Sequence, residues 1–183
     1  FPTPTPSLIC CGLDLGASNL HLVIGQNPSN ESLGSWFTEK SDFKDIIKPT
    51  DYQNVSFIAG DSQIPDLTSL KHAQKIKLIR NLKNIDADYL ILDLGAGTHQ
   101  FILDMFLLSP QGIVVSSPAV TATLNGYLFL KNAVFRNGRG QVVEKSTPFV
   151  EDNDSPNIMI LSKVFEDCYY ALSYTSYVLE FIF

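Results

Sequence analysis

The chain has 183 residues, 45% hydrophobic and 17% charged, with 13 basic residues against 19 acidic ones and a formal net charge of −6. That length suits one compact domain, and the apolar content argues against intrinsic disorder. The acidic balance (pI 4.9, mean hydropathy +0.09) argues against a nucleic-acid binder, which carries a basic footprint. Cys10, Cys11 and Cys168 show no Cys-x-x-Cys spacing, so a reducing, cytoplasmic setting is expected rather than a disulfide framework. No apolar run reaches the ~18 residues of a membrane span, and the first residues lack the basic region of a signal peptide.

Alternating proline in Phe1–Ser7 forbids helix. The apolar run Leu8–Cys11 follows and ends in Gly12-Leu13-Asp14-Leu15-Gly16, which reads as a strand delivering a carboxylate to its C-terminal end. Val55–Ala59, ending in Gly60-Asp61, is a second such strand. Leu67, Leu70, Ala73, Leu78, Ile79 and Leu82 predict a helix from Asp66, as N-cap, to Lys83. Its basic residues Lys71, Lys75, Lys77, Arg80 and Lys83 read as a solvated face before they read as a binding one. Tyr89–Leu92 is a third strand, ending in Asp93-Leu94-Gly95-Ala96-Gly97. A helix over Thr98–Leu108, a strand over Gly112–Ser116 and a helix over Ala119–Arg136 come next.

Gly138–Asn157, with its Gly, Pro and acidic cluster, reads as a loop or linker. Ile158–Leu161 is a further strand, and the aromatic tail to Phe183 reads as helical, with a packed terminal strand as the alternative. Continuous apolar strands alternating with helices predict a three-layer α/β/α domain with a mostly parallel sheet. The expected organisation is an incomplete nucleotide-binding domain over 1–137, a linker over 138–157, and a strand plus aromatic helix over 158–183 packing on that domain.

Ligands of open α/β sheets bind beyond the carboxyl ends of the strands. Asp14 and Asp93 stand there, each with a glycine two residues on, where backbone can approach a phosphate closely. An aspartate ending an apolar strand is the arrangement that holds Mg²⁺ through water beside a triphosphate; the plain alternative is a turn or helix cap. His21, His72 and His99 lack metal-ligand spacing, and Cys10-Cys11 read as small core residues.

Gly12-Leu13-Asp14-Leu15-Gly16-Ala17-Ser18-Asn19-Leu20-His21 resembles the second phosphate-site motif of the MinD/ParA family of deviant Walker-A ATPases. The likeness is closest to FlhG-type flagellar-number regulators and related MinD-like proteins. Ile58–Asp61, Asp86–Thr98, Leu103–Ser109, Val114–Pro118 and Asn125–Ala133 continue it in family order, from Gly12 to about Asn137. The resemblance implies a P-loop NTPase-like sheet, ATP and Mg²⁺ as cofactors, and a homodimer or other protein partner. It also implies reversible attachment to the inner membrane surface. In its terms Asp14 orients the attacking water, Asp93 is the Mg²⁺-water ligand, and Gly16, Gly95, Ala96 and Gly97 contact nucleotide, the last three as a switch segment.

The sequence departs from the family in one decisive respect. It contains no Gly-Lys-Ser or Gly-Lys-Thr, and the 13 residues before Asp14 are too few for a strand, phosphate loop and crossover helix. The loop's N–H groups and lysine supply most of the phosphate binding, so the expectation is a truncated relative, inactive alone. The alternative is a non-catalytic interaction module derived from that family. The tail has no Lys or Arg after Lys163, so it lacks the basic half of a membrane-binding helix.

Overall fold

The computed structural model describes residues 5–14, 18–27, 29–38, 40–60, 70–109, 111–117, 119–138, 157–163 and 177–182. Seven strands and five helices lie among them: β1 (Leu8–Leu13), α1 (Leu20–Val23), α2 (Leu33–Phe37), β2 (Ile47–Pro49), β3 (Val55–Ile58), α3 (His72–Lys83), β4 (Tyr89–Leu94), α4 (Gln100–Phe106), β5 (Gln111–Ser116), α5 (Val120–Gly138), β6 (Asn157–Lys163) and β7 (Tyr177–Ile182). The chain divides into two compact units, Phe1–Asp93 with Glu151–Ile158, and Leu94–Val150 with Met159–Phe183.

In the first unit the strand order is β2-β3-β1-β4. β1 runs parallel to β3, with Leu8 opposite Val55 and Cys11 opposite Ile58, while β2 is antiparallel to β3. The starts of β1 and β4 are fastened by side chain and backbone together. Ser7 donates to Asp88 Oδ2 from its backbone N–H at 2.7 Å and its hydroxyl at 2.8 Å, and Tyr89 N–H donates to Ser7 C=O at 3.0 Å. Those donors hold the Asp88 carboxyl below its ordinary range.

The core of this unit is Cys11, Leu13, Leu33, Ile46, Ile58, Leu78, Leu82, Leu90 and Leu92, all fully buried. Each leucine or isoleucine so buried stabilises by roughly 1.5–3 kcal/mol relative to exposure. α3 turns Leu78, Ile79 and Leu82 inward, one stripe at helical spacing. α2 is short and is started by a capping box between Ser32 and Ser35; Leu33 N–H donates to Ala59 C=O at 2.9 Å, tying the helix to the end of β3. Trp36 on α2 stacks edge-on against Phe43 at 5.2 Å, and the Lys77 ammonium of α3 lies 5.2 Å from its ring centre.

In the second unit the order is β6-β5-β7, with β5 parallel to β6 and antiparallel to β7. Every residue of α4 from Phe101 to Phe106 is buried. Buried Asp104 is neutralised by Arg136 of α5, whose Nε donates to its Oδ1. The far end of the Phe106 ring abuts Gly112 of β5, and the ring meets Phe129 of α5 in a T-shaped pair at 4.9 Å. α5 packs inward through Ala122, Gly126, Phe129 and Ala133, mostly small side chains that admit a close approach.

Mixed strands with helices, parallel inside and antiparallel at β2 and β7, realise the expected α/β class. Some elements differ from the sequence reading. β2, α1 and α2 were not anticipated. The α3 helix begins at His72, and the proposed cap Asp66 lies outside the described residues, as do Asp61 and residues 139–156 of the proposed linker. The end of the aromatic tail is not helical: Tyr177–Ile182 is strand β7, paired with β5 from Ser116↔Tyr177 to Gln111↔Ile182. Tyr-Val-Leu-Glu-Phe-Ile is dominated by aromatic and β-branched residues, and pairing with β5 outweighs any helical spacing.

Candidate functional site at the strand ends

Asp14 directly follows β1 and is half-buried, whereas Asp93 is the fifth residue of β4 and is 3% exposed. β1 and β4 are neighbours that begin side by side at Ser7 and Asp88, so both carboxylates stand at the same end of the first unit. Asp93 is close enough to β1 for its charge to act there. Burial first, and Asp93 second, raise the Cys10 thiol; burial, Cys10 and Asp93 raise that of fully buried Cys11. Both cysteines therefore stay protonated near neutral pH and have no thiolate to offer as nucleophile or ligand.

Three small residues pack closely where β1 and β3 end. A Cβ on Gly60, just past β3, would lie 2.6 Å from Gly12 C=O and 2.6 Å from Ser18 Oγ. A Cβ on Gly12 would meet Ser18 Oγ at 3.1 Å and Gly60 N at 3.2 Å. Gly60 is thus required for the ends of β1 and β3 to close on Ser18, and Gly12 leaves only tight room for a side chain. The Ser18 hydroxyl is buried in that contact and has no hydrogen-bond partner among the described residues. The sequence reading missed Ser18 and the steric role of Gly60; the glycine at the end of each strand was the available signal.

Gly95, Ala96 and Gly97 follow β4 and open the second unit. Gly97 has φ +105°, a conformation that favours glycine. Within that unit Gly97 and Thr98 line an open cleft of about 300 Å³ with Asn125, Leu128, Phe129 and Asn132 of α5. The asparagines were not singled out from sequence, because an Asn on a helix carries no spacing signal. Gly16 lies outside the described residues.

The donor set fits part of a nucleotide site. Two carboxylates suit Mg²⁺, a hard cation, but Mg²⁺ is normally held by one or two carboxylates together with substrate phosphate oxygens. Among the described residues no group of three or more His, Cys, Asp or Glu could hold a metal ion. The sequence contains no Gly-Lys-Ser or Gly-Lys-Thr loop, so the residues described at these strand ends fit the metal side of such a site and not its phosphates. Nor does any helix among the described residues have the length and apolarity to cross a membrane.

No protein-family model matches the chain. No curated protein matches it either. Among solved structures it is similar to the septum site-determining protein MinD from Pyrococcus horikoshii OT3, solved as a complex with Mg-ADP. That match has 19% identity and a TM-score of 0.54, over 86% of this chain and 56% of the MinD chain. The chain therefore spans little more than half the length of that relative, and at this identity the likeness speaks for the fold alone: a MinD-like α/β architecture.

Proposed function

We propose that the chain is a MinD-like nucleotide-switch domain that carries the carboxylate side of the site but not the phosphate-binding loop, and that these 183 residues alone hydrolyse no ATP. The observation that carries this reading is the placement of Asp14 and nearly buried Asp93 at the same end of neighbouring strands, with the Gly95–Gly97 segment directly after. In this reading Asp93 is the Mg²⁺-water ligand, Asp14 the carboxylate that orients water, and Gly16, Gly95, Ala96 and Gly97 the nucleotide-contacting backbone. ATP-dependent dimerisation, flagellar or cell-division positioning, and peripheral attachment to the inner membrane from the cytoplasm belong to the same proposal. The Mg-ADP of the MinD relative is consistent with it. Phosphate release from MgATP by the purified chain is expected to stay at the level of a protein-free blank. Turnover above blank that is lost in Asp93→Ala would overturn the inactivity.

A second reading, a non-catalytic protein-interaction module built on the same fold, is favoured by a separate observation. Val120, Leu124, Tyr127, Leu128, Val134 and Phe135 of α5 are all exposed, and an apolar helix face of that size marks an interaction surface.

A further inference from the structure

The two ends of the strand order are finished differently. β2 is three residues long and carries Lys48 and Pro49, a cation and an imino acid that discourage a further strand. β7 pairs with β5 over all six of its residues and stands last in the order. Its other row of backbone N–H and C=O groups has no strand opposite it among the described residues. Tyr-Val-Leu-Glu-Phe-Ile contains no proline, glycine or lysine, and all but Glu180 are aromatic, β-branched or leucine. β7 therefore has neither the shortness, the lysine nor the proline that blunt β2, and an apolar edge of that length is a template for another strand.

The same six residues decide the partner, because they are complementary to themselves. Two copies joined edge to edge about a two-fold axis normal to the sheet run antiparallel and keep each residue on its own face, so one residue must stand opposite its own copy. Only the registers centred on Leu179 or Glu180 pair most of the strand. Centred on Glu180, the pairing sets two carboxylates directly opposite each other, which is destabilising. Centred on Leu179, it sets Tyr177 opposite Phe181 twice, Val178 opposite Glu180 twice and Leu179 opposite its own copy, and the two Glu180 move apart to diagonal positions. We propose that the outer edge of β7 is the docking surface for a second copy of this chain, in the register centred on Leu179. The strands β6-β5-β7 of one copy then continue into β7-β5-β6 of the other. The assembly closes as a dimer, because the contact uses the β7 edge of both copies and β2 is blunted. The net charge of −6 on each chain opposes the encounter only over a Debye length, about 8 Å at physiological salt. The inference needs no nucleotide and stands or falls apart from the ATPase reading.

The test is sedimentation velocity of the nucleotide-free full chain, which is expected to show a dimer dissociating in the micromolar range. Leu179→Lys and Leu179→Glu each set like charges opposite each other on the axis and should weaken the dimer about tenfold; their equimolar mixture sets an ammonium opposite a carboxylate and should restore it. Circular dichroism checks that both variants fold. Hydrogen exchange of the unaltered chain reads the same contact without any substitution: on concentrating the chain, alternate amides of Tyr177–Ile182 should slow and those of β2 should not. A chain that stays monomeric at every concentration, which leaves the edge to a strand of another protein, would overturn the proposal. So would a dimer that keeps its strength in both single variants, a mixture no stronger than either variant alone, or concentration-dependent protection at β2 instead of β7. A dimer that appears only with MgATP would overturn it as well, since self-association would then belong to the nucleotide and not to the strand edge.

Discussion

Gly60→Ala is the sharpest probe of the strand-end geometry. The added methyl would sit 2.6 Å from Gly12 C=O, 2.6 Å from Ser18 Oγ and 2.9 Å from Ser18 Cβ, where ordinary contacts begin near 3.4 Å. The serine oxygen can turn away, but the carbonyl belongs to β1, and moving it disturbs the pairing with β3. Overpacking of this kind costs about 1–3 kcal/mol, less the ~0.4–1 kcal/mol by which alanine restricts the unfolded chain relative to glycine. A net loss of about 1–2 kcal/mol, at an m-value of about 2 kcal/mol/M in urea, lowers the midpoint by roughly 0.5–1 M. The chain's single tryptophan, Trp36, is buried in the same unit, on the helix tied to Ala59, so its fluorescence follows this transition. Ser18→Gly in the Gly60→Ala background should restore little, because the clash with Gly12 C=O remains. An unchanged midpoint in Gly60→Ala, or full recovery with Ser18→Gly, would refute the close approach of β1 and β3.

Three further outcomes follow from other contacts. A Cβ on Gly112 would stand 2.6 Å from the Phe106 ring, so Gly112→Ala should destabilise by about 1–3 kcal/mol; in a Phe106→Leu background, thermal melts should show most of that loss removed. Arg136→Met leaves the Asp104 carboxylate fully buried without its cation. This should cost about 3–5 kcal/mol, and the double variant with Asp104→Asn should cost less, as denaturant titrations would show. Asp88 titrates below the ordinary carboxylate range because Ser7 donates to its ionised form. Its contribution is therefore complete above the ordinary carboxylate pKa and is lost as pH falls through the lowered folded value. NMR titration should place the Asp88 carboxyl higher in Ser7→Ala, and an unmoved value would contradict the assignment.

How much of this was legible depended on whether a signal was local. Apolar runs ending in Asp14, Gly60 and Asp93 marked three strand ends correctly, because parallel strands buried on both faces leave unbroken hydrophobic runs. β2 escaped notice because Ile47-Lys48-Pro49 is three residues long and ends in proline, tolerated there because β2 stands at the end of the strand order. α1 and α2 span four and five residues, too short for a helical period, and α2 was detectable through Ser32 and Ser35 rather than through its apolar residues. The helix over α5 was evident, but its orientation was not. Periodicity places large apolar residues inward, whereas here Ala122, Gly126 and Ala133 face the core beside Phe129, which meets Phe106 edge-on. The close approach of Gly12, Ser18 and Gly60 is likewise invisible to a linear reading, since it joins two strands and a loop.

The most direct test of the central claim, carboxylates in place without a phosphate cradle, is calorimetric titration of MgATP and then MgADP into the monodisperse chain, with Asp93→Ala alongside. The account predicts no binding heat at millimolar nucleotide from a chain that circular dichroism shows to be folded. Micromolar binding that Asp93→Ala abolishes would contradict it, and would mean that another segment of these 183 residues rebuilds the cradle.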